Sequence, residues 1–144
     1  MKKILIVEDD KEGAKMLEDM IHTFLPKWAI SITGSGRDAI AIVESEKPDV
    51  ILLDIALNDE IDGIQVIKAI AKTELKPRII LNTALGSRAS RGPRPGKSWV
   101  EQLDEKEKTL VSSFFDKSSI NWRDFITEIA KAGGEPVPPG VVDL

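Results

Sequence analysis

The chain of 144 residues has no cysteine, so neither disulfides nor thiolate metal sites are open to it. It has one histidine, His22, late in the first helical pattern, which reads as a surface or boundary side chain and not as a phosphohistidine. No apolar stretch is long enough to cross a bilayer. The opening run Ile4-Leu5-Ile6-Val7 is too short for a signal-peptide core. A cytoplasmic protein without membrane contact is therefore expected. The formal charge of −4 gives no general drive toward nucleic acid or anionic lipid. There is no solenoid-type repeat, and no room for a second domain after residue 132. Residues 133–144 follow the last helix. The stretch Glu135 to Leu144 holds three prolines and a glycine, a composition read as flexible or docked in extended form.

What is present is ordinary for a globular domain, with 42% hydrophobic and 31% charged residues. At this length one core is expected. The organising stretch is Pro48-Asp49-Val50-Ile51-Leu52-Leu53-Asp54, an unbroken apolar run between two carboxylates. It reads as a strand covered on both faces, as at the centre of a parallel sheet. Ile4 to Val7 is a second such run, closed by Glu8-Asp9-Asp10, and Asp10 can cap the following helix. Ala14, Leu17, Ile21, Phe24 and Leu25 repeat at helical spacing before Pro26. Trp28 to Ile32 is a short strand. Ala39, Ile40 and Val43 mark a second helix that stops before Pro48. Ile64, Ile67, Ile70 and Ala71 form the stripe of a third. Arg78 to Thr83 and Val111 to Phe115 are further strands. Trp122, Phe125, Ile126 and Ile129 line the last helix, closed by Gly133-Gly134. The order β-α repeated five times implies an α/β fold with parallel strands, right-handed crossovers and helices on both faces.

Parallel strands put their carboxyl ends on one edge, where ligands of open α/β sheets bind. That edge gathers Glu8, Asp9, Asp54, Thr83 and Lys117. Three carboxylates in a partly buried cleft repel one another unless a cation compensates. An all-oxygen set suits a hard divalent ion, with Mg²⁺ the usual one. Lys117 supplies a mobile positive charge and Thr83 a hydroxyl. A carboxylate, Mg²⁺, a lysine and a hydroxyl together make a phosphoryl-accepting site with Asp54 as nucleophile.

These motifs, with Asp62-Gly63, Thr83-Ala84 and Phe114-Phe115-Asp116-Lys117, resemble the receiver domain of bacterial and archaeal response regulators (CheY-like) over Lys3 to about Ala132. The resemblance implies a flavodoxin-like (βα)5 doubly wound sandwich over residues 1–132, with strand order 2-1-3-4-5. It implies that Asp54 takes a phosphoryl group from a histidine kinase or phosphotransfer protein of a two-component system. Glu8, Asp9, Asp54 and the backbone carbonyl of Ala56 would bind Mg²⁺, Glu8 through water. Thr83 and Lys117 would contact the phosphoryl oxygens. Phe114 would be an aromatic switch that turns inward as Thr83 moves; it reads equally well as core. Autodephosphorylation is expected. The downstream protein is unknown, no DNA-binding domain is expected, and a dimer is left open.

The chain departs from the family in three places. Asn58 stands where the family has a proline. Ser118 follows Lys117 in place of proline, so a trans bond is expected there. Thr83 and Lys117 are 34 residues apart, about a dozen more than usual. The extension, in the region 84–98, includes the basic stretch 86–97, which has four positive charges and no acid and reads as a mobile solvated loop. Ser98-Trp99-Val100-Glu101 is a capping-box pattern for a helix running to about Lys108, with Trp99 and Trp122 as packing residues. The displaced helix puts the family's usual signalling face in question.

The leading reading is a stand-alone phospho-acceptor switch rather than an enzyme. Alternatives are a degenerate receiver acting as a phosphorylation-independent interaction module, and a Mg²⁺-dependent phosphohydrolase. The last needs a second acid two residues after the nucleophile, where Ala56 stands. A flavin-binding domain is discounted, because Glu8-Asp9-Asp10 would repel a phosphate.

Overall fold

A computed structural model describes residues 1–57, 60–84 and 98–144. Asn58, Leu85 and the basic stretch 86–97 lie outside the described residues. Five strands, β1 Lys3–Val7, β2 Ala29–Thr33, β3 Val50–Leu53, β4 Arg78–Thr83 and β5 Val111–Asp116, form one parallel sheet in the order β2-β1-β3-β4-β5. The expected α/β architecture and strand order are both found.

The apolar runs explain the layering. Strand side chains alternate between faces, so every second residue of β1, β3 and β4 enters a different core. Leu5, Val7, Ile51, Leu53, Ile79 and Leu81 face one cluster. It is completed by helices α2 (Gly36–Glu46) and α3 (Gly63–Ala71). Ile4, Ile6, Val50, Leu52 and Ile80 face the other, against α1 (Lys11–Phe24) and α6 (Trp122–Ala132). The central strands are apolar on both sides because both sides are covered.

Local signals set the helix starts. Ser35 caps α2 by accepting from the Asp38 N–H, and Asn121 caps α6 by accepting from the Asp124 N–H. Asp62 and Gln65 form a full capping box on α3. Asp10 stands at the N-cap of α1, but its side chain makes no capping hydrogen bond; its own N–H donates to Glu8 Oε2 at 3.2 Å.

The helix expected from Ser98 to about Lys108 is two helices, α4 (Trp99–Gln102) and α5 (Glu105–Lys108). Leu103 between them is extended and buried in the core. Asp104 restarts the chain with a capping box to Glu107. Burial of one leucine and a second capping signal thus outweigh continuation of a short helix. Glu107 also ion-pairs with Lys68 at 2.9 Å, tying α5 to α3.

The tail expected to be flexible or extended is docked and ends in a 3₁₀ turn, Val141–Asp143. Val141 is buried in the α1/α6 core, and Arg123 Nη2 donates to the Leu144 carbonyl at 3.1 Å. Trp28 lies under the end of α6, where a Cβ on Gly133 would run into its ring. No described helix is long and apolar enough to cross a membrane. His22 is exposed in the last turn of α1.

Candidate functional site

The sheet register places the acids. Val7 pairs with Leu53 at the carboxyl ends of β1 and β3. The Asp54 N–H donates to the Val7 carbonyl at 3.1 Å, and the Glu8 N–H to the Thr33 carbonyl at 2.9 Å. Glu8 and Asp54 therefore stand side by side just past the sheet, each 5% exposed. Asp9 joins them, half-buried, and one carboxylate oxygen from each of the three lies within 4.8 Å of the others.

Lys117 crosses to this cluster from the end of β5. Its Nζ donates to Asp54 Oδ2 at 2.8 Å and also ion-pairs with Glu8. The second Asp54 oxygen, Oδ1, accepts from the Ala56 N–H at 3.0 Å. Thr83, at the end of β4, is fully buried, and its Oγ1 has no hydrogen-bond partner. A buried hydroxyl without a partner is costly and uncommon.

The electrostatics follow from burial and proximity. Glu8 has its pKa raised, chiefly by burial and further by the Asp54 charge, against the lowering effect of Lys117. For Lys117, burial alone lowers the pKa. The hydrogen bonds and charges of Asp54 and Glu8 outweigh it and hold the ammonium above the ordinary lysine value. Among the described residues, Lys117 is the cation that meets Glu8 and Asp54. The all-oxygen donor set of Glu8, Asp9 and Asp54 fits a hard divalent ion such as Mg²⁺.

The structure brings together Glu8, Asp9, Asp54 and Lys117, with Ala56 on the adjoining turn and Thr83 at the end of β4 on the same edge of the sheet. Phe114 is elsewhere. It is half-buried on the α2/α3 face, stacked on Trp99 with ring centroids 6.0 Å apart and planes 8° from parallel. Trp122 packs edge-on to Phe125. The described backbone has no cis peptide bond, so the bond from Lys117 to Ser118 is trans.

Two features escaped sequence reasoning. Asp116 Oδ1 accepts from both the N–H and the Oγ of Ser118, at 3.0 and 2.9 Å. This fixes the 3₁₀ turn Lys117–Ser119 that launches the lysine. Asn82 is buried beside Glu8 and Asp54 with an unpartnered Oδ1. Its only signal in the sequence is an amide interrupting an apolar strand.

Comparison with known proteins agrees with this fold. The family model described as response regulator receiver domain matches residues 4–92, and the chain belongs to that family. It is 34% identical over 91 residues to the chemotaxis protein CheY of Thermotoga maritima, covering 61% of this chain and 72% of that protein. It is 40% identical over 87 residues to the regulatory protein VanRc of Enterococcus gallinarum, covering 59% of this chain but only 35% of that longer protein. Among solved structures, the signal receiver domain of a putative LuxO repressor protein from Vibrio parahaemolyticus is similar, with a TM-score of 0.73 at 25% identity, over 92% of this chain and 90% of that one. The sequence match ends before β5, whereas the structural likeness spans most of the chain. Receiver domains are signalling switches of two-component systems that work with histidine kinases and downstream effectors, and they are generally not enzymes in the ordinary sense.

Proposed function

We propose that Asp54 is the phospho-acceptor of a two-component switch, charged by a phosphohistidine on a histidine kinase or phosphotransfer protein. The observation that carries this reading is the pairing of Asp54 with Lys117 at 2.8 Å; Thr83, which ends β4 at the same edge of the sheet, has an unpartnered hydroxyl. In the transfer, an Asp54 carboxylate oxygen forms the new O–P bond as the donor's N–P bond breaks. The departing imidazole takes its proton from solvent.

Glu8, Asp9, Asp54 and the Ala56 carbonyl would hold Mg²⁺, which supplies charge neutralisation for the phosphoryl oxygens. Lys117 already lies against Asp54, so a short swing moves its ammonium from carboxylate to phosphoryl oxygen. Thr83 gives its hydroxyl proton to a second oxygen and thereby gains the partner it lacks. Lys117 polarises the acyl phosphate toward attack by water, and Mg²⁺ held by the acids would add to that polarisation, so self-dephosphorylation accompanies the switch. Phe114 would report the movement of Thr83 through packing alone, since phenylalanine has no hydroxyl. In this reading the receiver unit spans residues 1–132, acts in the cytoplasm and signals by docking on another protein.

The test is incubation with Mg²⁺ and acetyl phosphate, followed by intact mass. The wild type is expected to gain one phosphoryl group and Asp54→Asn none. No gain in the wild type, or an equal gain in the variant, defeats the proposal.

A further inference from the structure

The opposite edge of the sheet, where the strands begin, takes no part in the acidic site. Two adjoining cavities run along it. One of about 420 Å³ is lined by Lys2, Lys47, Asp49, Lys76 and Arg78 over an apolar floor that includes Val43 and Pro48. The second, about 240 Å³, shares Lys76 and Arg78 and adds Lys106. Five cations therefore face one carboxylate in a chain with more acids than bases, 24 against 20.

None of these five makes an ion pair with a described residue, whereas Lys15, Lys68, Lys108 and Lys117 all do. Asp49 is the one carboxylate on this wall, and its Oδ2 also accepts from the Lys3 N–H at 2.9 Å. Arg78 is held in place, with Nε donating to Ser112 Oγ at 2.9 Å and Nη1 to the Thr109 carbonyl at 3.2 Å. Lys47 is the one described non-glycine residue with positive φ, at 52°. It sits at the C-cap of α2, where glycine fits without strain. A lysine kept in a left-handed conformation at a cavity wall marks a place where strain is tolerated for another purpose.

Helix ends do not account for all this charge. The carboxyl termini of α2, α3 and α6 reach this edge, each worth about half a negative charge. With Asp49 they offset roughly half of the five positive charges and leave about two and a half uncompensated. Four of the five cations are lysines, compact point charges on flexible stems that can meet a phosphate group from several directions. A cavity of this size lies within the range of about 300–1,000 Å³ found for small-molecule sites.

We propose that this amino-terminal edge binds a small molecule bearing an oligophosphate group, independently of the acidic site. The test is a ¹⁵N amide titration of the full chain at physiological ionic strength, without Mg²⁺, first with inorganic triphosphate and then with ATP. Saturable shifts are expected at Leu75, Lys76, Gly133 and Gly134. The double variant Lys47→Gly/Lys76→Ala keeps the left-handed turn comfortable, so it folds. It is expected to bind about tenfold more weakly or worse, while Lys15→Ala binds as the wild type does. Tighter binding of ATP than of triphosphate assigns the apolar floor to a nucleoside body; equal binding assigns free oligophosphate. Absence of saturation with both probes, unchanged affinity in the double variant, or shifts confined to the edge bearing Glu8 and Asp54 overturns the proposal.

Discussion

A methyl group placed on Gly63 would lie 2.5 Å from the carbonyl oxygen of Asp54 and 2.6 Å from Cα of Ile55. The Gly63 N–H also donates to the Ile55 carbonyl at 3.0 Å. The first turn of α3 is thus pressed against the backbone that carries the central carboxylate, and the Asp62 capping box holds it there. Gly63→Ala must push that backbone away. The expected cost is about 1–3 kcal/mol of stability, read as a lower urea midpoint. A weaker response to Mg²⁺ should accompany it. An unchanged midpoint contradicts the tight packing.

Removing the Lys117 ammonium leaves Glu8 and Asp54 buried without their shared cation. Lys117→Met is expected to lose about 1–3 kcal/mol near neutral pH, less than for a fully buried pair because Lys117 is partly exposed. The sign of the pH dependence follows from Glu8, whose pKa is already raised by burial. A raised carboxyl contributes stability that is fully present below its unfolded value and is lost as pH rises through the folded one. Without Lys117 to lower it, Glu8 rises further, so the variant's deficit grows from about pH 5 to about pH 8. Added Mg²⁺ should narrow it. Urea unfolding at the two pH values, with and without Mg²⁺, measures this, and equal deficits would count against the account.

Thr83→Val preserves shape and removes a buried hydroxyl that has no partner. Stability should hold or rise by up to about 1 kcal/mol, because no satisfied hydrogen bond is lost. Affinity for a beryllofluoride–Mg²⁺ phosphoryl mimic should fall in the same variant. A variant that is both destabilised and normal in binding the mimic would remove Thr83 from the site.

The parallel stack of Trp99 on Phe114 joins the segment after β4 to β5. Phe114→Ala should expose the Trp99 ring and shift its emission to the red, measured in a chain with Trp28 and Trp122 replaced by phenylalanine. The cost is expected to be about 1–3 kcal/mol, below that of a fully buried phenylalanine because Phe114 is half-exposed. If Trp99 emission does not move, the stack does not persist in solution.

Most of this architecture could be read from the residues because its signals are local and strong. Val50 to Leu53 and Ile4 to Val7 are apolar without interruption, which only a doubly covered strand explains. The acids at their ends then fall on one edge by topology alone. Reading failed where a tertiary demand overrode a local one. Leu103 leaves the helical path to enter the core, and Asp104 restarts the turn. The proline-rich tail left flexibility and docking both open; burial of Val141 and the Arg123 bond to the Leu144 carbonyl decide for docking. Asn82 and the Asp116–Ser118 turn were hidden for a different reason. Their significance lies in what surrounds them in space, and no spacing in the chain announces it.

The central claim is that a phosphoryl group resides on Asp54 and nowhere else. Borohydride reduction of the acetyl phosphate-treated, Mg²⁺-loaded protein converts an aspartyl phosphate to homoserine at the modified position. Peptide sequencing is then expected to find homoserine at position 54 alone, and only when Mg²⁺ was present. Homoserine at position 9 or at another acid, or none anywhere, would contradict the account.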